Sequence, residues 1–595
     1  MAVTFAPTEQ APAPRRNRVF PEVTAPRSRF GLAFRQWTAA LVTVAVFAGL
    51  AVLFKVVDDR PETVLSLALV VLGVMAVLRW PIVGTYLAVL STIILDTFPS
   101  PYVQTVISEM GFFRNLNLLG LPSAVTFNMF EVLLSLSLLR ALIGHFHRYR
   151  GIRTGPVFWP VVLFGAMVVL GTVNGLLTGG DFKITLWEIR PLFYFVGLYI
   201  LAVNTVEEPA HIRGLLWITV LGTAFRTVDG ISRYFQIPLS VRAGVPTVIE
   251  HDDSLFLALA FGLLIAATLW RARLPRRMYP LLVLMIPAVT LMMVLNKRRA
   301  VFLCLIEVVI IALPYIWLSL QTPALRRRLV LVLVGLGVLG SLYTAAFWNR
   351  SGSLAEPAQA VKSYFQPNER DAASNAYREQ ENTNLRATIA RSPIIGIGFG
   401  KPMDVVVPMA NLQDGWALQL YMPHNNMLWL WERMGFIGFA VFWAMIAASL
   451  ILVSAAVRLG LDRMRAAVGV EQELLRSNPL ENTMRGRRRR LNSADRVYAR
   501  RLQVARKRAQ ECAEFLLLAF LVLATLGALV VLSAVDQALM SFRLSAYAGA
   551  MLGALAAGWQ MYQVRARRLP GEAVADAAGQ EEPPRVPRRR VRFVS

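Results

Sequence analysis

Five histidines occur in the 595 residues. His424 follows a long polar stretch and opens a long apolar one, so it can face water on one side and lipid on the other. Imidazole titrates near neutrality and is suited to take a proton. A histidine at a helix start also serves as a cap or an interface residue. His251 leads the acidic pair Asp252-Asp253, while His145, His147 and His211 fall in loops or helix ends on the other side of the chain's topology. The cations suited to an anionic ligand are Arg298 and Arg299 in the turn NKRRAVF, and Arg190 in TLWEIRPLFYF. Arginine offers a planar fork of donors that matches phosphate oxygens two at a time. Each has an alternative partner in the sequence. Arg298 and Arg299 could pair with Asp229, Asp252 or Asp253, Arg190 with Glu188, and Arg226 with Asp229.

These residues hang on apolar runs. The chain is 56% hydrophobic and 17% charged, against roughly 25% charged in soluble domains. Fourteen runs reach the length of spanning helices: 37–57, 62–78, 81–97, 122–143, 156–177, 187–204, 213–231, 253–270, 277–295, 299–320, 328–347, 424–457, 511–534 and 541–562. Only Arg79-Trp80 separates the second from the third, so either could be re-entrant. The first reads as an anchor, because no small-residue cleavage site precedes it.

The net charge of +25 resembles a nucleic-acid binder's until it is mapped. The tail 1–36 carries +4, the segment 458–510 carries +10 and the tail 564–595 carries +4. Lys and Arg collect in cytoplasmic loops, and fourteen crossings put all three on that side. The segment 348–423 then falls outside, with seven cations and seven acids. The expected fold is an all-α polytopic membrane protein of about fourteen transmembrane helices with one large, partly helical periplasmic loop. Its divisions are a basic cytoplasmic tail 1–36, helices 1–11 over 37–347, the loop 348–423, helix 12 over 424–457, a basic cytoplasmic loop 458–510, helices 13–14 over 511–562, and a disordered basic tail 563–595. Within the outer loop, 382–391 has helical periodicity, with Leu385 and Ile389 on one face. The run 487–490 of the basic loop suits anionic lipid headgroups better than nucleic acid, because it lies beside two spans.

Ionisable groups inside a membrane cost about 2.5–3.5 kcal/mol each on insertion scales and usually mark function. This topology brings Arg190, Arg226, Asp229, His251, Asp252, Asp253, Arg298, Arg299 and His424 to one depth near the outer surface. A lipid-linked pyrophosphate at the outer leaflet suits such a cluster. No Walker A, HExxH or CxxC motif occurs, and two cysteines make no disulfide framework.

The stretch PHNNMLWLWERMGFIGF resembles the signature of the O-antigen ligase and polymerase superfamily: His424-Asn425, Leu428, Gly435 and Gly438. NLRATIARSPIIGIGFG resembles that family's Arg-containing helix and glycine turn, through Arg386, Pro393, Gly396, Gly398 and Gly400. Arg299-Ala300 matches its short outer turn. The likeness covers about 299–440 well and 185–300 loosely. Arg433 stands where the family often has an acid, with Glu432 one place earlier. The last two runs are matched by hydropathy alone.

The resemblance implies a metal-independent inverting glycosyltransferase of the bacterial inner membrane, with no cofactor. Its donor is a glycan on undecaprenyl pyrophosphate, and its acceptor is a hydroxyl on lipid A-core or on another glycan. It makes His424 the candidate general base. Arg298, Arg299, Arg190 and Arg386 become candidates for the pyrophosphate, with Arg226, His251 and Asn425 as further contacts. Arg386 could instead pair with Glu379 or Glu381. Asp252 and Asp253 could hold a divalent cation, but a bare His-Asp-Asp is weak as a metal motif. A ligase and a polymerase share this chemistry. A flippase would put its charges nearer the bilayer midplane, and a peptidoglycan-type polymerase would need an acid in the outer loop, where Asp371, Asp404 and Asp414 lie.

Overall fold

A computed structural model describes residues 61–98, 102–115, 127–149, 151–242, 245, 247–296, 298–320, 323–350, 352, 354–411, 417–477 and 493–567. The described residues are helical and contain no strand. The expected anchor 37–57, the tail 1–36, residues 568–595 of the other tail and the 487–490 run lie outside them, while 563–567 continue the last helix. The longer described helices are α1 (Pro61–Arg79), α2 (Ile82–Ile94), α3 (Met129–Tyr149), α4 (Phe158–Leu177), α5 (Phe182–Thr205), α6 (Pro209–Gln236), α7 (Asp253–Trp270), α8 (Met278–Leu295), α9 (Arg299–Ser319), α10 (Pro323–Phe347), α11 (Glu356–Phe365), α12 (Glu369–Arg391), α13 (Asn426–Arg476), α14 (Ser493–Ser533) and α15 (Phe542–Arg567). Every apolar run after the first overlaps a described helix. Eight of them, α4, α5, α7, α8, α9, α10, α13 and α14, are long and apolar enough to cross a membrane. The chain is a multi-pass membrane protein. α2 has 13 residues, short of the roughly 20 that a straight crossing needs.

Apolar helices gain nothing by hiding from lipid, so they associate where backbones can approach closely. α15 lies along α5 in this way. Gly549 faces the backbone of Phe195 and Gly553, one turn on, faces that of Tyr199, and a Cβ at either would collide there. α14 is buried along most of its apolar length, packed by α13, α9, α7 and α15. α10 is the opposite case. Its apolar window has no buried residue among those described, and its main helix contact is with α11.

The basic segment 458–510 is helical at both ends, as continuations of α13 and α14. Glu471 of α13 clasps Arg506 of α14 at 3.0 Å and also binds Arg273. In the segment 348–423, Asn368 caps α12 by accepting from the Asp371 amide at 2.8 Å. Leu385 and Ile389 are both buried on that helix, on the face their spacing indicates.

α13 is broken near its start. Gly435 sits at φ +62°, ψ −173° inside an otherwise helical run. Only glycine holds that region without strain of about 1–3 kcal/mol, and a Cβ there would strike the Ile394 carbonyl. Gly435→Ala should therefore lower the melting temperature in detergent, with a loss of at least that 1–3 kcal/mol. Gly335→Ala, in an α10 position with nothing within 4 Å, should be neutral or stabilising by up to about 1 kcal/mol. Equal melting temperatures for Gly435→Ala and the parent would show that the break tolerates a side chain.

Candidate functional site

A helix broken in an apolar interior exposes amides and carbonyls that must find partners. The glycine turn 393–400 supplies them. The Ile397 amide donates to the Glu432 carbonyl at 2.8 Å, the Gly398 amide to Arg433 at 3.1 Å, and the Phe436 amide to Pro393 at 2.8 Å. The turn then runs against α4 and α5. Phe399 donates to Gly171 at 3.2 Å, and Asp181 donates to Gly400 at 2.9 Å. Gly398 abuts Gly175 so closely that neither has room for a Cβ.

Glu188 of α5 anchors this junction. Its fully buried carboxylate accepts from the Gly400 amide at 2.5 Å, Trp429 Nε1 at 3.3 Å and Arg433 Nε at 2.8 Å. Arg433, also fully buried, adds an Nη2 contact at 2.7 Å. Arg433 thus serves Glu188, while Glu432 lies 3.5 Å from the same guanidinium.

The junction fixes the first turns of α13, and His424 precedes them. Asn425 caps the helix, accepting from the Met427 and Leu428 amides at 3.2 and 3.1 Å. Asn426 accepts from the Leu539 and Met540 amides at 3.0 and 3.3 Å, tying α13 to the α14–α15 turn. Gln537 Nε2 donates to the Met422 carbonyl at 2.5 Å. His424 meets a carboxylate from α12. Glu381, wholly buried, accepts the His424 amide at 2.9 Å and lies 3.2 Å from its Nδ1. A carboxylate on Nδ1 favours a proton there and leaves the Nε2 lone pair as the acceptor. Tyr377 packs edge-on to the imidazole, and burial raises its own phenol pKa.

His424 lines a cavity of about 650 Å³. The C-terminal end of α2 and the N-terminal ends of α7, α9, α13 and α15 meet around it, with the end of α14. The second histidine, His251, lines the same cavity, its Nδ1 3.3 Å from Asp536 Oδ2. Burial works against ionising Asp536. The hydrogen bond and charge of His251, the Gln537 amide and His424 overcome it and hold the carboxyl well below the usual range. Asp252 accepts from the Ser541 hydroxyl, and its pKa is raised by burial first and by Asp253 as well.

Behind the cavity three buried arginines hold four carboxylates. Arg226 binds Asp96, Asp253 at 2.7 Å and Asp229 at 3.0 Å. Arg233 binds Asp96 at 2.7 Å and Asp229 at 2.8 Å. Arg543 binds Asp253 at 2.5 Å and Glu250 at 2.8 Å, and donates to the Thr92 and Ile93 carbonyls at the end of α2. Glu250 accepts the Thr97 and Phe98 amides beyond that end.

The site candidates named from the sequence divide accordingly. His424 and His251 share the cavity, and Ala300, next to Arg299, lines its wall. Arg298 precedes α9 and is part-buried, while nothing is described of the Arg299 side chain. Arg226 lies in the ion network. Arg190 pairs with Glu131 at 2.9 Å and with Asn115 at 3.0 Å, so its neighbour Glu188 is not its partner. Arg386 is exposed, 3.4 Å from Glu379. Asn425 is the helix cap. Asp253, bound by two arginines, is not free to hold a cation. Sequence reasoning missed Glu381, Asp536 and Arg543. Glu381 had been considered only as a partner for Arg386, and the last two apolar runs had offered no motif at all.

An all-helical membrane bundle with a histidine–carboxylate cavity at one end is a class rather than a family. Residues 286–443 match the family described as O-antigen ligase. The match spans Arg298, Arg299, Glu381, Arg386 and His424, and omits Glu188, Arg190, His251 and Asp536. No curated protein matches the chain.

Burial, with Asp96, Asp252 and Asp253 nearby, pushes the Glu250 carboxyl up to about 7 against the opposing pull of Arg543. The folded protein therefore holds this proton more tightly than the unfolded chain. Its contribution to stability is full below the unfolded value, about 4.3, and is lost as pH rises through about 7. Glu250→Gln should flatten the fall in melting temperature between about pH 5 and pH 8. Parallel pH curves for variant and parent would contradict the shift.

Proposed function

We propose that the protein is an inverting glycosyltransferase of the O-antigen ligase type. It moves a glycan from undecaprenyl pyrophosphate to an acceptor hydroxyl, on lipid A-core or a surface polysaccharide, without a metal or cofactor. The observation that carries this reading is His424 held by Glu381 on the wall of a cavity that also reaches Ala300, beside the Arg298-Arg299 turn, within the matched region.

The chemistry follows from that arrangement. His424 Nε2 takes the proton of the acceptor hydroxyl as its oxygen attacks the anomeric carbon. The bond from that carbon to the pyrophosphate breaks, and its electron pair leaves with the lipid pyrophosphate. Arg298 and Arg299 stabilise the leaving charge through charge-assisted hydrogen bonds. Arg190 and Arg386 come into play only if substrate exchanges for Glu131 and Glu379. The activated bond arrives on the lipid, so no nucleotide site is needed.

The cavity end of the bundle faces the periplasm in this reading, and 348–423 is the outer loop. The basic ends of α13 and α14 face the cytoplasm and its anionic lipid headgroups. The bacterial inner membrane is the matching location. A polymerase of the same superfamily would use the same residues.

His424→Ala should abolish product while leaving membrane expression intact, and Glu381→Gln should slow turnover with little change in expression. Arg298→Ala with Arg299→Ala should cost at least about 100–1000-fold in rate, the loss typical of one such donor. Wild-type product from His424→Ala would remove it as the base. In a strain lacking the gene, long polymer stalled on undecaprenyl pyrophosphate with none on the core indicates a ligase. Single repeats with no long chains indicate a polymerase, and an unchanged profile refutes both.

A further inference from the structure

The cavity at the helix ends has a charge pattern that the transfer chemistry does not use. Its lining contains three carboxylates, Glu250, Asp252 and Asp536, and two imidazoles. Among the described lining residues there is no lysine or arginine. The nearest described arginine bound to one of these carboxylates is Arg543, which holds Glu250 from behind and does not line the space. An anion placed here meets acidic side chains in a half-open, largely apolar space, where like charges repel more strongly than in water. A pyrophosphate does not suit that pattern.

A sugar ring does. Its hydroxyls are donors, and carboxylates are acceptors that can take two at once. Its C–H faces need an apolar wall, and Trp187 with Phe542 supplies one, their ring centroids 5.4 Å apart and their planes tilted by 31°. Phe98 stacks on Trp187 at 6.2 Å with planes 6° apart, which fixes the indole. The volume, about 650 Å³, is that of a pocket for a small ligand. His251, half-exposed, opens the space to the surface.

We propose that this cavity is the subsite for an uncharged sugar of the acceptor, and that it excludes acidic sugars and the donor pyrophosphate. Asp252 and Asp536 receive its hydroxyls, Trp187 carries its ring face, and His424 faces the attacking hydroxyl. The pyrophosphate stays at the edge, beside the Arg298-Arg299 turn. This rests on the glycosyltransferase reading for its role but not for its binding chemistry.

The test is saturation-transfer NMR on the full chain in lipid nanodiscs. The probes are neutral trisaccharides of glucose, galactose and mannose, the acidic trigalacturonate, and geranyl pyrophosphate. At least one neutral trisaccharide should give a signal and trigalacturonate none. Geranyl pyrophosphate should not displace the sugar. Trp187→Ala should abolish the signal, which locates the sugar in the cavity. Asp252→Asn with Asp536→Asn should weaken the neutral sugar about tenfold or more, as loss of hydrogen bonds to charged groups does, and should let trigalacturonate compete.

Silence from all three neutral sugars overturns the proposal. So does trigalacturonate binding the parent as well as they do, a signal that survives Trp187→Ala, or displacement by geranyl pyrophosphate. The three comparisons made on the parent chain decide the matter even if a substituted protein fails to fold. Sugar binding with no glycan transfer would refute the enzyme reading and leave the subsite standing. Transfer with no neutral-sugar binding would do the reverse.

Discussion

The Glu188 carboxylate joins three separate parts of the chain where water cannot replace its partners. It lies on α5, receives Gly400 from the glycine turn, and receives Trp429 and Arg433 from the start of α13. Removing one partner of a buried ion pair typically costs about 3–5 kcal/mol, because the other charge is left uncompensated. The contact therefore dictates where the turn goes. The turn in turn satisfies the backbone groups exposed where α13 breaks, and the segment ahead of the break carries His424. A single ion pair thus sets the position of the candidate base some distance away.

The same economy governs the other buried charges. Arg226, Arg233 and Arg543 are engaged by Asp96, Asp229, Asp253 and Glu250. That network joins the end of α2 to α6, α7 and α15. A 13-residue helix that ends in a membrane protein's interior leaves carbonyls exposed, and Arg543 takes two of them. These arginines hold the walls of the cavity in register. They are structural cations in a place where a sequence reader expects ligand contacts. What faces into the cavity is instead a pair of imidazoles, each braced by a carboxylate.

Much of this was legible beforehand. Hydropathy marked the helices because apolar length is a one-dimensional property. The amphipathic face of α12 was visible in Leu385 and Ile389. The glycines at 396, 398, 400 and 435 stood out as a pattern, but their purpose is a docking event between segments that no spacing reveals. Glu381 lies 43 residues from His424, and it is one of four acids in that helix, which the sequence alone does not tell apart. Asp536 comes from the α14–α15 turn and Arg543 from the first turn of α15, in surroundings that read as plain membrane span. Partners drawn from distant helix ends are fixed by packing, so local pattern does not choose among them. Arg190 illustrates the point. Glu188 is two residues away, yet on a helix that puts it on another face, and Glu131 of α3 is the partner.

The break at Gly435 has a mechanical consequence. α13 counts 51 residues, and a helix of that length would extend about 75 Å, well past a hydrocarbon core of roughly 30 Å. The basic end of this rod continues beyond the apolar part, and that apolar part tilts and shifts as bilayer thickness changes. The nine residues ahead of Gly435 are fastened to α5, the glycine turn and the α14–α15 turn instead of to the rod's helical hydrogen bonds. The joint lets the long arm lean with the membrane while the end that carries the histidine stays with its own neighbours, much as a gimbal isolates an instrument from the deck beneath it.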